Sequence, residues 1–464
     1  MLRRTLGYRL GLKPLKKDTS SRKQKLLNIL RFCNRNTPFY KGKFSFFLES
    51  ATDLPDEDFF YAYSHLPIVQ KSDLKSKNTN FKSVTLDYKY DLLKDGKTPT
   101  MQEAIKHGII KKDFFASIST GGSSGVPAFR WLDYEDANLF AQSFLQSFKL
   151  NGWSTGEDFI VFYPLKSYFT GVYADQAKLL RSFFGFTMVP FETVDKQSVI
   201  ALLETLRKNK ATLLVIFPCV LQRVAEIMKA ENIEPFEKLP YINVSGEFFL
   251  DCSKRFIQEL FPDSDIQSTY GAVEFGEIAH QKGLSSFDYD VFDDYAYLEQ
   301  GPDNSLLVTS YYQRAFPLIR YKIEDMGRVI DNEDGSQSIT NLEGKNTDYI
   351  IGADGYMYYA SFFNSLINEI NNAFDDPIIH FMMRHQDDEV MQLNFVLHPD
   401  KTTKEDIVEK AVRDTVEHVF ANFETIKINF KDHFDHDYTR KFKIVGEGDG
   451  LSEVVGGYYQ RKAS

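Results

Sequence analysis

Short apolar runs of strand length alternate with longer amphipathic stretches of helical period between residues 115 and 250. The candidate strands read DFIVFYPL, FTMVPF, ATLLVIFP and YINVSG, and the candidate helices read YADQAKLLRSFF, KQSVIALLETLRKN, VLQRVAEIMKAEN and DCSKRFIQELF. A strand, a crossover helix and a second strand in this order form a right-handed parallel unit. The alternation therefore predicts an α/β fold with mainly parallel sheets flanked by helices.

The chain on either side of this alternation has a different pattern. Residues 20–110 favour helices, whereas residues 285–350 favour short strands separated by turns such as Asn-Glu-Asp-Gly, and a further turn signal, Ala-Asp-Gly, follows at 353–355. Helix and strand then alternate again over about a hundred residues, which is a normal size for a small domain. We predict a large multi-subdomain N-terminal domain over residues 1–345, including a small β-rich subdomain. A mobile α+β C-terminal domain then covers 346–464, with the boundary near Lys345–Asp348.

Charge and composition restrict the partners and the compartment. The net charge of −10 argues against nucleic acid as a partner. Residues 1–25 nevertheless hold nine Lys or Arg and one acid, which favours a solvated helix, with contact to an anionic membrane surface as the alternative. Three widely separated cysteines fit a reducing compartment, and no apolar run reaches the ~18 residues that span a bilayer. We expect a cytoplasmic protein, either free or at the inner face of the membrane. Whether it forms a homodimer stays open.

A run of small residues, STGGSSG at Ser119–Gly125, is the strongest local motif. Its glycines permit close approach of the backbone to a ligand, and successive N–H groups in such a loop can surround an anion. The run is not a Walker A motif, because Val126 and Pro127 follow Gly125. A Ser/Gly run is by itself more often a connector. Its position between the apolar run DFFASI and the amphipathic run DYEDANLFAQSFLQSFKL predicts a phosphate-binding loop in a strand–loop–helix arrangement.

Four later segments gain meaning from their order and spacing: SGEFF, STYGAVEFGEIAH, PLIRYKIEDMG and TRKFKIV. Together with the small-residue loop they resemble the motifs of the adenylate-forming (acyl-AMP) ligase superfamily. The N-terminal segments NTPFYKGKF and LPIVQKSDLKSK resemble most closely its phenylacetate-CoA ligase and CapK-type branch. The resemblance covers nearly the whole chain and implies the adenylate-forming enzyme fold.

The resemblance implies a reaction in two steps. A carboxylic acid is activated by ATP to an acyl-adenylate with release of pyrophosphate, and the acyl group then passes to an acceptor. Coenzyme A is the first expectation for this acceptor, and ATP, Mg²⁺ and coenzyme A are the expected cofactors. The alternatives are a CapK-type ligase of capsule or surface-polysaccharide biosynthesis acting on an amine or hydroxyl, an acyl-protein synthetase, and a non-catalytic nucleotide-binding scaffold.

The resemblance also implies roles for individual residues. Lys441 would bridge the substrate carboxylate and the α-phosphate, Glu274 would bind Mg²⁺, and Thr120 would act in the phosphate loop. Asp325 would accept hydrogen bonds from the ribose hydroxyls, and Tyr270 would stack on adenine. The expected nucleotide-binding residues are Ser119, Thr120, Gly121, Gly122, Ser123, Ser124, Gly125, Ser245, Gly246, Glu247, Tyr270, Gly271, Asp325 and Lys345. The expected acyl pocket, suited to an aromatic or medium-chain apolar acid, comprises Tyr163, Tyr168, Phe169, Thr170, Gly171, Phe217 and Ala272.

Two departures from the family pattern concern cations. Lys345 stands where arginine is usual and loses the planar fork of a guanidinium, and Arg440 stands where glycine usually precedes the catalytic lysine. Some relatives have a zinc site built from cysteines after the motif that contains Glu274. No cysteine follows Cys252 in this chain, so we expect no zinc site here, and we interpret His433 and His436 as exposed loop residues.

Overall fold

The structure is a computed structural model. It describes residues 19–76, 78–81, 116–119, 129–147, 159–163, 186–282, 287–344, 348–386, 389–436 and 442–447. The α-helices of these residues are α1 (Arg22–Asn36), α2 (Ser45–Ser50), α3 (Asp56–Tyr63), α4 (Lys71–Ser76), α5 (Tyr134–Gln146), α6 (Lys196–Asn209), α7 (Pro218–Ala230), α8 (Asp251–Leu260), α9 (Ala360–Phe374) and α10 (Glu405–Val419). None of the helices in these ranges combines the length and the apolar character that crossing a membrane requires.

The strands of the described ranges form five sheets. They are β1 (Ala116–Ser119), β2 (Phe129–Leu132), β3 (Ile160–Phe162), β4 (Phe186–Met188), β5 (Leu213–Ile216), β6 (Tyr241–Ser245), β7 (Asp265–Ala272), β8 (Gly276–Gln281), β9 (Tyr289–Val291), β10 (Ala296–Gln300), β11 (Ser305–Ser310), β12 (Tyr321–Met326), β13 (Arg328–Asp331), β14 (Gln337–Thr340), β15 (Ile350–Ile351), β16 (Met357–Tyr358), β17 (Ile378–Gln386), β18 (Val390–Leu397), β19 (Thr425–Lys431) and β20 (Val445–Glu447). The largest sheet has the order β13-β14-β9-β8-β7-β6-β5-β3-β4.

The predicted parallel strands are confirmed, and they make up one half of this sheet. The pairs β4–β3, β3–β5, β5–β6 and β6–β7 are all parallel. The sheet as a whole is mixed, because β8, β9, β14 and β13 continue it in antiparallel pairs. A tight turn, in which the Phe275 amide donates to the Ala272 carbonyl at 3.1 Å, reverses the chain after β7. A connection this short can join only antiparallel neighbours. The β-rich region therefore continues the parallel strands in the same sheet, and it also forms a separate three-stranded sheet, β10-β11-β12.

The helix α6 shows how local sequence sets an element's ends. The Asp195 side chain accepts a hydrogen bond from the Ser198 amide at 2.8 Å, and the Ser198 hydroxyl accepts one from the Asp195 amide at 2.9 Å. The two bonds form a capping box. Lys210 ends the helix in the left-handed conformation, at φ 48°. The helix therefore covers the same residues as the predicted segment KQSVIALLETLRKN.

The predicted strand–loop–helix arrangement at the small-residue run needs correction. A second strand, β2, follows the run and pairs antiparallel with β1, with Ile118 opposite Arg130. The helix α5 begins only after β2, where the Asp133 side chain accepts from the Asp136 amide at 2.7 Å. The run therefore connects two strands of a hairpin, and the N-terminus of α5 does not follow it directly. Four consecutive residues, Phe-Arg-Trp-Leu, carry too little periodicity to indicate this strand from sequence.

The last part of the chain forms a smaller sheet, β19-β18-β17-β20, accompanied by α9 and α10. The helix α9 contacts α8 through hydrogen bonds, in which Asp251 of α8 accepts from Asn364 at 2.8 Å and from Asn368 at 2.6 Å. Glu343 accepts from the Ser361 amide at 3.3 Å and from its hydroxyl in the first turn of α9, and burial raises the pKa of Glu343 to about 7. The division of domains at residues 345 and 346 stays a prediction.

Candidate active site

Tyr270 and Asp325, predicted to bind adenine and ribose, lie in direct contact. Tyr270 is near the end of β7 and Asp325 near the end of β12, and the Tyr270 hydroxyl donates to Asp325 Oδ2 at 2.8 Å. Burial, followed by the charges of Asp325 and Glu274, raises the pKa of Tyr270 well above its usual value. The phenol therefore stays protonated and acts as a donor that orients the carboxylate.

Glu274, predicted to bind magnesium, lies in the β7–β8 turn, close enough to Tyr270 to raise the pKa of its phenol. Its carbonyl accepts from Gln313 Nε2 at 2.7 Å, and its Oε1 accepts from the Tyr321 hydroxyl at 3.3 Å. The side chain is half-buried, and burial raises its pKa although Lys71 and Arg130 act in the opposite direction. A carboxylate that is partly withdrawn from water and accepts a hydrogen bond from a phenol can still offer oxygen atoms to a hard cation.

The N-terminal segment LPIVQK supplies a lysine to this acidic cluster. Val69 pairs with Tyr321: its amide donates to the Arg320 carbonyl at 3.0 Å, and its carbonyl accepts from the Lys322 amide at 2.9 Å. This pairing brings the Lys71 ammonium to 2.9 Å from Glu324 and close enough to lower the pKa of Glu274. The motif predicts this segment from its sequence, whereas the role of Lys71 was missed because its ion-pair partner Glu324 lies 253 residues away.

Arg130 is a second residue that sequence reasoning missed. It lies on β2, directly after the predicted phosphate loop, and is 1% exposed. Its Nη1 donates to the Val273 carbonyl at 2.9 Å, while Nε and Nη2 find no hydrogen-bond partner within the described part of the chain. Arg130 thus holds the turn that carries Glu274 and adds a positive charge beside it. Its only sequence signal is an arginine inside an otherwise apolar strand.

The turn is also held from the side of α5. The buried Asp136 carboxylate accepts from the Arg314 amide at 3.0 Å and from the Ala315 amide at 2.9 Å. These bonds place Gln313, which donates to the Glu274 carbonyl. The position of Glu274 therefore depends on β2, α5 and the loop after β11 together.

The predicted adenine motif, Ser245 to Glu247, begins at the last residue of β6. Gly246 adopts φ +88°, and a Cβ there would lie 2.9 Å from the Phe217 ring, so only glycine fits without displacing the ring. The Glu247 carboxylate accepts from the Cys219 amide at 3.2 Å and from the Phe442 amide at 2.7 Å. Glu247 thereby connects the start of α7 to the residue that follows Lys441 in the chain.

A glycine is also required at Gly271, on β7. A Cβ at this position would lie 2.4 Å from the Gly276 carbonyl oxygen, a distance that backbone atoms cannot relieve without moving the hairpin. Gly271 follows Tyr270 and precedes Ala272, so this close packing fixes the strand that carries the aromatic ring.

The three described residues of the predicted acyl pocket lie in two clusters. Tyr163 is buried and stacks on Phe191 with 4.7 Å between ring centroids, and Phe217 packs against the same cluster. Ala272 packs against a different cluster, together with Tyr270. The remaining predicted site residues lie outside the described residues and stay predictions: Thr120, Gly121, Gly122, Ser123, Ser124, Gly125, Tyr168, Phe169, Thr170, Gly171, Lys345 and Lys441. Ser119 ends β1.

These residues fit a magnesium-bound nucleotide. Asp325 offers a bidentate acceptor for a pair of hydroxyls, Tyr270 offers an aromatic ring beside it, and Glu274 offers the oxygen ligand that Mg²⁺ prefers. The three side chains come from strands and a turn that long-range contacts hold in place.

No protein-family model matches the chain, and a search of curated proteins finds no match. Among solved structures, the chain is similar to 2-hydroxyisobutyryl-CoA ligase in the postadenylation state in complex with R3-HIB-AMP. The two are 13% identical, 92% of this chain and 88% of that chain are covered, and the TM-score is 0.64. The same ligase in complex with 2-HIB-AMP is 14% identical over 92% and 88%, with a TM-score of 0.61. This chain has the fold of an acyl-CoA ligase. Within that fold, the phenylacetate-CoA ligase and CapK-type branch stays a prediction.

Proposed function

We propose that this protein uses ATP to activate a carboxylic acid as an acyl-adenylate, releasing pyrophosphate, and then transfers the acyl group to coenzyme A. The observation that carries the proposal is the contact of Tyr270 with Asp325 beside Glu274. The sequence motifs predict that these residues bind three different parts of one ligand, Mg-ATP. Their convergence in an acyl-CoA ligase fold supports a nucleotide site of that type.

The chemistry at the nucleotide end follows from the side chains present. Asp325 accepts from the two ribose hydroxyls, and the Tyr270 hydroxyl keeps the carboxylate oriented for this contact. Mg²⁺ neutralises the phosphate charges when it is bound. Glu274 provides an oxygen ligand, and Lys71 and Arg130 favour its charged form. The backbone amides of residues 119–125 bind the β- and γ-phosphates.

The chemistry at the acyl end depends on Lys441. A carboxylate is a weak nucleophile that must approach a negatively charged α-phosphate, and an ammonium between the two lowers their repulsion. The bond between the Phe442 amide and Glu247 ties the neighbouring residue to the body that carries the nucleotide site. This connection supports a role for the C-terminal segment in adenylation.

The relatives of this fold support coenzyme A as the acceptor. 2-Hydroxyisobutyryl-CoA ligase in complex with 2-HIB-AMP and CoA in the thioesterification state is 15% identical to this chain. The match covers 94% of this chain and 91% of that one, with a TM-score of 0.50. We therefore favour coenzyme A over an amine or a sugar hydroxyl. An aromatic or medium-chain apolar acid remains our proposal for the substrate.

The test is an acid-dependent exchange of labelled pyrophosphate into ATP with a panel of carboxylic acids. We expect exchange with one class of acid, and a thioester when coenzyme A is then added. Amines and sugar nucleotides serve as competing acceptors, and the Glu274→Gln variant serves as the inactive control. Binding of Mg-ATP without exchange for any acid would contradict the proposal and indicate a nucleotide-binding scaffold.

A further inference from the structure

Three potential metal ligands from distant parts of the chain meet outside the predicted nucleotide cluster. Cys219 is the second residue of α7, Glu247 follows β6, and His436 lies beyond β19. One ligand atom from each, the cysteine sulfur, a carboxylate oxygen and an imidazole nitrogen, lies within 4.8 Å of the others. His433 and His436 are both half-buried, so their interpretation as exposed loop residues was wrong.

The surroundings hold these ligands in place. Both oxygens of Glu247 accept backbone amides, from Cys219 at 3.2 Å and from Phe442 at 2.7 Å, which fixes the plane of the carboxylate. The His436 ring meets the Phe442 ring edge-on with 5.4 Å between centroids. Cys219 is buried, and Phe434, two residues before His436, belongs to the same hydrophobic cluster.

We propose that Cys219, Glu247 and His436 bind one divalent transition-metal ion of the zinc type. A tetrahedral site with ligands at about 2.0–2.3 Å from the metal places its ligand atoms roughly 3.5 Å apart. Contraction from 4.8 Å therefore needs only small side-chain movements. Sulfur, nitrogen and oxygen together favour Zn²⁺ or Co²⁺ over Mg²⁺, which prefers oxygen ligands alone.

Binding of the metal ion would replace the S–H bond of Cys219 by a sulfur–metal bond, with no change of oxidation state. The S–H bond of Cys219 breaks, the proton passes to solvent, and the thiolate forms a bond to the metal. Three protein ligands leave a fourth position for water or another small ligand.

The position of the site determines its effect on the fold. Cys219 and Glu247 belong to the body that contains the large mixed sheet, whereas His436 belongs to the segment that leads to Lys441. A bound ion would connect the two by coordination bonds in addition to the Glu247–Phe442 hydrogen bond. Zinc would therefore restrain the C-terminal segment, and this proposal does not depend on the proposed ligase activity.

The experiment uses the full chain, stripped with a chelator and titrated with Zn²⁺ and Co²⁺ in the presence of millimolar Mg²⁺. We expect one ion per chain and, with Co²⁺, a thiolate-to-metal charge-transfer band. Cys219→Ala should abolish that band, and both Cys219→Ala and His436→Gln should weaken Zn²⁺ binding at least about tenfold. The matched controls are Cys252→Ala, which removes another buried thiol, and His433→Gln in the same segment as His436.

The outcomes separate a metal site from a hydrogen-bonded contact. Absence of the charge-transfer band in the folded wild-type chain, or unchanged Zn²⁺ affinity in His436→Gln, would overturn the proposal and leave a thiol–carboxylate contact only. Equal losses in Cys219→Ala and Cys252→Ala would also overturn it, because metal binding would then follow thiol content. If Cys219→Ala does not fold, the wild-type cobalt spectrum and His436→Gln decide the question.

Discussion

The hydrogen bond between Tyr270 and Asp325 makes a prediction that a double-mutant cycle can test. Tyr270→Phe keeps the ring and removes only the hydroxyl that donates to Asp325 at 2.8 Å. Asp325→Ala removes the carboxylate itself. If the phenol acts on ATP only by orienting the carboxylate, then Tyr270→Phe should have no effect once Asp325 is absent.

The expected magnitudes follow from the type of bond. A hydrogen bond to a charged group contributes about 1.5–3 kcal/mol, so Asp325→Ala should weaken ATP binding by roughly 1–3 kcal/mol. Loss of the orienting phenol leaves the charge in place but frees the side chain. Tyr270→Phe should therefore cost about 1 kcal/mol, or roughly fivefold in Kd. The coupling energy of the cycle should equal this cost.

The assay is calorimetric titration with Mg-ATP, and Tyr289→Phe is the matched control. The Tyr289 hydroxyl bonds to Ser268 at 3.1 Å, and its ring lies 6.2 Å from that of Tyr270. The control removes the same group from the same region without touching Asp325, so ATP affinity should stay unchanged. A coupling energy near zero would refute the orienting role of Tyr270, and equal ATP affinity in wild type and Asp325→Ala would remove Asp325 from the site.

Three further predictions follow from the structure and the proposed reaction. Glu274→Gln should lower pyrophosphate exchange at least about a hundredfold, whereas Glu324→Gln should cost far less; equal effects would deny Glu274 a specific role. Lys441→Ala should abolish acyl-adenylate formation yet still transfer acyl groups from a supplied acyl-adenylate. An active Lys441→Ala together with an inactive Arg440→Ala would show that the motif is misaligned. Between pH 4.5 and about 7, Glu343 loses its proton in the unfolded chain but keeps it in the folded chain. This difference lowers the free energy of unfolding of the wild type by up to about 3 kcal/mol. The Tm of Glu343→Gln should therefore exceed that of wild type by more at pH 8 than at pH 5, and a constant difference would argue against burial as the cause.

Local sequence determined most secondary structure of the described residues. The alternation of apolar and amphipathic runs predicted the strands β3 to β6 and the helices α6, α7 and α8, because each run forms its element largely from its own residues. The fold class followed, since a parallel sheet of this kind requires crossover helices. Tyr270, Glu274 and Asp325 were chosen from motif order, and they do meet in the structure.

Tertiary structure alone decided the partners of these residues. Neither the burial of Arg130 under the Glu274 turn nor the pairing of Lys71 with Glu324 could be read from a local pattern. The pairing of β1 with β2 around the predicted phosphate loop and the extension of the parallel strands by antiparallel strands also depended on tertiary structure. Periodicity reports which face of an element is apolar, but not which element covers it. Contacts between residues hundreds of positions apart arise only when the whole chain packs.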